Sequence, residues 1–223
     1  MKIFKRWGFT LSEALITLSI IGVLAIIVLP GLIKDTMNRS MISTLISTVT
    51  NLNDAVNTEL VNKRALVIID TDIYNDPVDF FKTYLSPIKT ASDNSLFASS
   101  YKTINGTSSL TSSMSASANL KNGVVVGIYA PSSNKDSSYF PMYIDINGKK
   151  GPNIQGMDYF MVYLRAKSDK ETGDHAGDIG CSSVNDPAYL ISNCKESGDN
   201  YCYCALERTG FDYKYLDYAD LNY

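Results

Sequence analysis

Lys5-Arg6-Trp7-Gly8-Phe9-Thr10-Leu11-Ser12-Glu13-Ala14-Leu15-Ile16 opens an apolar run that continues to Leu29, and its reading decides the fold. Between Phe9 and Ile33 the only charged side chain is Glu13. About 20 apolar residues at ~1.5 Å rise each cross the hydrocarbon layer, so the segment is long enough to span a membrane. A carboxylate inside such a span is costly and asks for a partner, which makes Glu13 a functional residue by default. The leader before it carries Lys2, Lys5 and Arg6. Cationic flanks stay cytoplasmic, so the expected orientation keeps the amino terminus inside and exports the rest.

Simpler readings of this segment fit less well. A cleaved secretory signal has a shorter apolar core followed by a small-residue cleavage site, whereas Ala14 to Leu29 is too long and no A-x-A follows it. A lipoprotein signal needs an early cysteine, and the first is Cys181. A plain uncleaved signal anchor leaves Glu13 unexplained.

Lys5 to Ile16 resembles the class III signal of type IV pilins and type II secretion pseudopilins, with glycine before the cut, phenylalanine after it and glutamate at the fifth mature position. The resemblance implies a prepilin peptidase that cuts between Gly8 and Phe9 and methylates the new amino terminus of Phe9. Glycine before the cut lets the backbone enter a protease cleft without steric opposition. It further implies an inner-membrane assembly platform and a filament of pilin or pseudopilin subunits. There the Glu13 carboxylate meets the Phe9 ammonium of a neighbouring subunit. Losing one member of a buried pair leaves the other uncompensated, at a typical cost of ~3–5 kcal/mol, so the pair acts as a register check.

The fold expected from this is α+β: a pilin-like fold whose long amino-terminal helix, transmembrane in its first half, packs on a small antiparallel sheet. Residues 1–8 are the leader, 9–33 the transmembrane or filament-core segment and 34–63 the amphipathic half of the helix. Residues 64–122 form a connecting region with a Ser/Thr-rich loop, and 123–223 the sheet and cysteine-rich end.

After Pro30 the pattern becomes amphipathic, with Ile33, Met37, Met41, Leu45, Val49, Leu52, Val56 and Leu60 at spacings of three and four. One helix from about Thr10 to about Lys63 is expected, with Pro30 and Gly31 marking a kink or loosened turn, because proline removes a hydrogen bond and clashes with the preceding turn. The segment 91–122 is rich in Ser, Thr and Asn, which reads as a long exposed connection without apolar mass for a core. Asn105-Gly106-Thr107 matches a glycosylation sequon. Resemblance to pilins also makes this segment a candidate for serine-linked glycans.

Val124 to Tyr129 and Tyr139 to Ile146 read as a hairpin, and Tyr159 to Leu164 as a third strand. Between the last two, Asp145-Ile146-Asn147-Gly148 precedes Gly151-Pro152-Asn153 and Gly156-Met157-Asp158-Tyr159-Phe160, an order that also resembles pilin heads. Asn147-Gly148 and Gly151-Pro152 accept unusual dihedrals, and Asp145 and Asp158 can bond backbone amides. The alternative is calcium on Asp145, Asn147, Asn153 and Asp158, since hard cations take several oxygen ligands, although the spacing is not that of an EF-hand.

Cys181, Cys194, Cys202 and Cys204 fall in the last 43 residues. In an exported chain they read first as disulfides. Cys202 and Cys204 are expected to share a strand face, where a mutual bond is strained, which leaves Cys181 and Cys194 each crossing to one of them. A zinc site of four thiolates lacks paired C-x2-C knuckles. Resemblance to pilins makes such a disulfide loop the frame of an exposed interaction surface. The tail from Tyr213 to Tyr223 alternates aromatics, as an edge strand or a buried packing element does.

Removing the leader takes three of 20 basic residues and leaves 17 against 23 acidic ones, moving the net charge from −3 to −6. That gives no strong nucleic-acid signal, because phosphate contacts need clustered Lys and Arg. His175 is the only histidine and sits in a Gly-rich stretch, and no G-x-S-x-G, P-loop, H-E-x-x-H or Rossmann signature occurs. No enzymatic activity and no cofactor is expected. The favoured reading is a minor subunit of a type IV pilus or related filament, located in the inner membrane with its globular part exported. A pseudopilin of a type II secretion system is the alternative. From another class, a membrane-anchored surface enzyme or binding protein remains.

Overall fold

The structure is a computed structural model that describes residues 10–130, 135–168, 175–181, 186–198 and 201–216. Gly8, Phe9 and the tail beyond residue 216 lie outside the described residues. The chain divides into two compact units, residues 1–40 and 41–223, and helix α1, Leu11–Lys63, runs through both.

In the first unit α1 carries the apolar run. It remains helical through Pro30 and Gly31, with no loosened turn between them. Its most apolar window, with a mean hydropathy of 2.7, has none of its residues buried. Ile33 and Met37, expected in the buried stripe, belong to this unit and are exposed.

The second unit is an α+β structure. Its helices are the remainder of α1, then α2 (Asp72–Asn75), α3 (Pro77–Leu85), α4 (Pro187–Glu196) and α5 (Tyr201–Arg208). Its strands are β1 (Lys89–Ala91), β2 (Ser100–Lys102), β3 (Ser108–Leu110), β4 (Ala116–Asn119), β5 (Val125–Ile128), β6 (Tyr139–Asp145), β7 (Tyr159–Arg165) and β8 (Ile179–Gly180). Six of these form one antiparallel sheet in the order β1-β4-β5-β6-β7-β8, and β2 and β3 form a separate hairpin.

The three expected strands are therefore the centre of a wider sheet. β1 and β4 read Lys-Thr-Ala and Ala-Ser-Ala-Asn, which carry no β-branched or aromatic run, so period-2 reasoning passes over them. Alternation along the central strands sorts their side chains onto two faces. Val126, Ile128, Phe140, Met142, Ile144, Phe160, Val162 and Leu164 join one core with Leu45, Val49, Leu52 and Val56 of α1 and with Phe80 and Phe81 of α3. Val125, Tyr143 and Tyr159 face the other way, against Leu96, Phe97, Tyr101 and Met114.

That second face corrects the reading of 91–122 as an exposed connection. Its polar majority is punctuated by four large apolar side chains, and these suffice to cover the sheet. The carboxy-terminal region differs from expectation too. Cys202 and Cys204 lie on helix α5 rather than on a strand, and Tyr213–Leu216 is a 3-10 turn rather than an edge strand. The α4 start follows capping chemistry: Asp186 accepts a hydrogen bond from Ala188 N at 3.1 Å, and Pro187 occupies the first turn.

Candidate functional site

The first turn of α1 is organised by reciprocal capping. Thr10 donates to Glu13 Oε2 from both its backbone N–H and its hydroxyl, each at 2.8 Å, and Glu13 N donates to Thr10 Oγ1 at 3.3 Å. This is the Thr-x-x-Glu capping box, legible in the sequence as Thr10-Leu11-Ser12-Glu13. Farther along, the hydroxyls in the apolar run turn back onto their own helix: Thr17 Oγ1 reaches Glu13 O at 2.9 Å and Ser19 Oγ reaches Leu15 O at 2.8 Å. Gly31 has nothing within 4 Å of the position a Cβ would take.

In the second unit, Asp145, Asn147, Asn153 and Asp158 do come together in the loop between β6 and β7. Asp145 Oδ1 accepts from Asn147 N at 3.2 Å, and its Oδ2 accepts a short hydrogen bond from the Tyr101 hydroxyl. Asp158 Oδ2 accepts from Asn153 N at 2.8 Å and its Oδ1 from Ile154 N at 2.6 Å. Asn147 Nδ2 closes the loop on Gly151 O at 3.1 Å. Both carboxylates thus bond backbone amides, as the turn reading requires. The Oδ1 atoms of Asn147 and Asn153 are buried without a hydrogen-bond partner. Among the described residues, no group of three or more His, Cys, Asp or Glu is arranged to hold a metal ion. Burial pushes Asp145 up to about 7, and the neighbouring Asp158 charge adds to the rise; burial raises Asp158 as well, and Tyr101 is raised beyond its ordinary range.

The cysteines pair as Cys181–Cys204 and Cys194–Cys202, so each outer cysteine crosses to one of the close pair. The second bridge is fully buried. Gly156, at φ +86°, lies against it, and a Cβ there would come 2.6 Å from Cys202 Sγ. The 145–158 loop is thereby locked to the α4–α5 pair. It is also stitched to the β2–β3 hairpin, since Gln155 N donates to Lys102 O at 2.7 Å and Gln155 Nε2 to Ser109 Oγ at 2.8 Å. Comparison with protein-family models, with curated proteins and with solved structures finds no match.

His175 is an exposed turn residue whose backbone N–H donates to Asp178 Oδ2 at 2.8 Å. A groove of about 760 Å³ lies beside the 145–158 loop, with Ser99, Ser100, Leu110, Thr111, Lys149 and Asn153 in its wall, and among the described residues Lys149 is the one titratable group lining it. Tyr101 as the partner of Asp145 carried no sequence signal, because 44 positions separate the two.

Proposed function

We propose that this chain is a structural subunit of a type IV pilus or related filament, held in the inner membrane by α1 before assembly. The observation that carries the reading is the amino-terminal segment itself: Gly8-Phe9-Thr10-Leu11-Ser12-Glu13 opens an apolar run to Ile33 in which Glu13 is the one charge, and the most apolar window of α1 has no buried residue. A helix with so much apolar surface needs lipid or a bundle of like helices around it. The capping box holds Glu13 within its own first turn, and in the assembled state the carboxylate exchanges Thr10 for the Phe9 ammonium of a neighbouring copy.

The pilin-like fold belongs to the same proposal. A long amino-terminal helix whose second half packs on an antiparallel sheet, with a disulfide-bonded carboxy-terminal end, is its expected layout. The fully paired cysteines agree with export to an oxidising compartment.

Intact-mass measurement on membrane and sheared surface fractions tests the reading, with wild type compared to Glu13→Ala. Loss of residues 1–8, a methyl group on Phe9 and disappearance of the variant from the sheared fraction are expected. Retention of the leader, or a sheared pool indifferent to the substitution, returns the chain to the class of anchored surface proteins.

A further inference from the structure

The chain carries the Asn-x-Ser/Thr triplet at Asn38-Arg39-Ser40 and again at Asn105-Gly106-Thr107, and the structure treats the two differently. Asn38 lies inside α1 and is 8% exposed. It also follows the apolar run, which ends at Ile33, by only about one and a half helical turns.

Asn105 instead occupies the tip of the β2–β3 hairpin. The tip is closed on Thr103: Thr103 N donates to Thr107 O at 2.8 Å, Thr107 N to Thr103 Oγ1 at 3.1 Å and Gly106 N to Thr103 O at 2.9 Å. Asn105 N donates to Lys195 O at 3.1 Å, which fixes the backbone against the last turn of α4. These bonds use backbone groups and the Thr103 hydroxyl. The Asn105 carboxamide and the Thr107 hydroxyl belong to exposed residues and have no hydrogen-bond partner among the described residues. Gly106 holds φ +86°, and nothing lies within 4 Å of the position its Cβ would take, so there is open space at the tip.

The strand that follows gives an independent reason for a polar cover. β3 pairs with β2 alone, all three of its residues are exposed, and Leu110 is 85% exposed. An edge strand invites pairing with another chain, and charge or proline ordinarily blunts it. From Thr103 to Leu120 there is neither a charged residue nor a proline, so only the shortness of β3 protects it.

We propose that Asn105 is a glycan acceptor, taking an oligosaccharide on Nδ2 from a donor whose anomeric carbon carries a lipid-linked pyrophosphate. The N–C bond forms as the C–O bond to pyrophosphate breaks. Pyrophosphate leaves with the bonding electron pair, and one amide proton passes to a base of the transferase. The Thr107 hydroxyl is the second element by which the triplet is read. The attached group is bulky and solubilising and needs a surface position, which the hairpin tip provides. Standing over β3, it supplies the cover that the sequence of the strand lacks. The inference requires export of the second unit and goes beyond the filament reading, on which it does not depend.

Mass analysis of the full chain, purified from the membrane fraction of the cells that make it, tests the proposal. Trypsin cuts after Lys102 and Lys121 and releases the peptide Thr103–Lys121. That peptide should be heavier than its sequence by one or more sugar residues, with fragmentation placing them on Asn105. Asn105→Gln and Thr107→Ala should each abolish the addition, whereas Thr107→Ser and Asn38→Gln should keep it. The tip bonds do not involve the Asn105 or Thr107 side chains, so these variants are expected to fold as wild type does. A bare peptide, aspartate at position 105 without sugar, or a sugar that survives Asn105→Gln or Thr107→Ala overturns the proposal. Leader removal and the sheared pool are measured separately, so the filament reading can fail while this one stands, and the reverse.

Discussion

Tyr101 and Asp145, 44 residues apart in sequence, meet through a hydrogen bond from the phenol to the carboxylate in a site that excludes water from both. Tyr101 also stacks on Tyr159 with ring centroids 3.9 Å apart, so one side chain ties the Ser/Thr-rich segment to β6 and β7 together. This explains how a polar segment can be part of a folded unit. It is anchored by a few aromatic and aliphatic side chains at well-spaced points.

Stability should depend on pH through Asp145. Its pKa is raised in the folded state to about 7, so folding binds a proton that the unfolded chain has released. For an acid shifted in that direction, the stabilising term is fully present below the unfolded value and is lost as pH rises through the folded one. Thermal unfolding of the globular unit should therefore move to higher temperature between pH 7.5 and pH 5.5, by an amount equivalent to about 2 kcal/mol from this group. Asp145→Asn should flatten the profile. An unchanged slope in that variant would place the titration elsewhere.

The two halves of α1 should respond oppositely to truncation. Leu52 is fully buried in the main core, and Leu52→Ala should cost about 2–5 kcal/mol of unfolding free energy. Ile26 is 76% exposed, and Ile26→Ala should leave the unfolding temperature of the globular unit unchanged while weakening membrane retention. Equal effects on unfolding would contradict the division into two units.

Removing the buried bridge with Cys194→Ser and Cys202→Ser together should lower stability by about 2–4 kcal/mol. Gly156→Ala should be comparably damaging, because the residue holds φ +86° and its new methyl group would press on Cys202 Sγ. Denaturant unfolding of both variants reads the effect. A neutral Gly156→Ala would mean that the loop is free of the α4–α5 pair.

Calcium separates the two readings of the 145–158 loop. With both carboxylates turned to backbone amides, 1–2 mM calcium against a chelator should shift the melting temperature by no more than about 1 °C; a rise of several degrees would assign the loop to cation binding, by linkage to the folded state.

What the sequence made legible was set by local physics. The bounds of α1, the three central strands and the two turn aspartates all follow from periodicity, β-propensity or side-chain capping that acts within a few residues. The crossing of Cys181 and Cys194 to the Cys202 and Cys204 pair was anticipated as a pattern, but on the premise of a strand. In helix α5 the same two positions lie well apart around the axis, which again sends them to different partners. β1 and β4 escaped notice because their places depend on neighbours rather than on their own side chains. The Tyr101 contact was hidden for the same reason, since it exists only once the sheet is assembled.

Thr17 and Ser19 bear on the proposed passage of α1 from lipid to filament. Each hydroxyl bonds a carbonyl of the preceding turn and takes that partner wherever the helix goes. The polar atoms of these side chains are equally content in acyl chains, in a protein interior or in passage between the two. Under the filament proposal, extraction from lipid would require no exchange of partners by these two hydroxyls, and the Glu13 carboxylate at the start of the helix would be left to renegotiate its contacts.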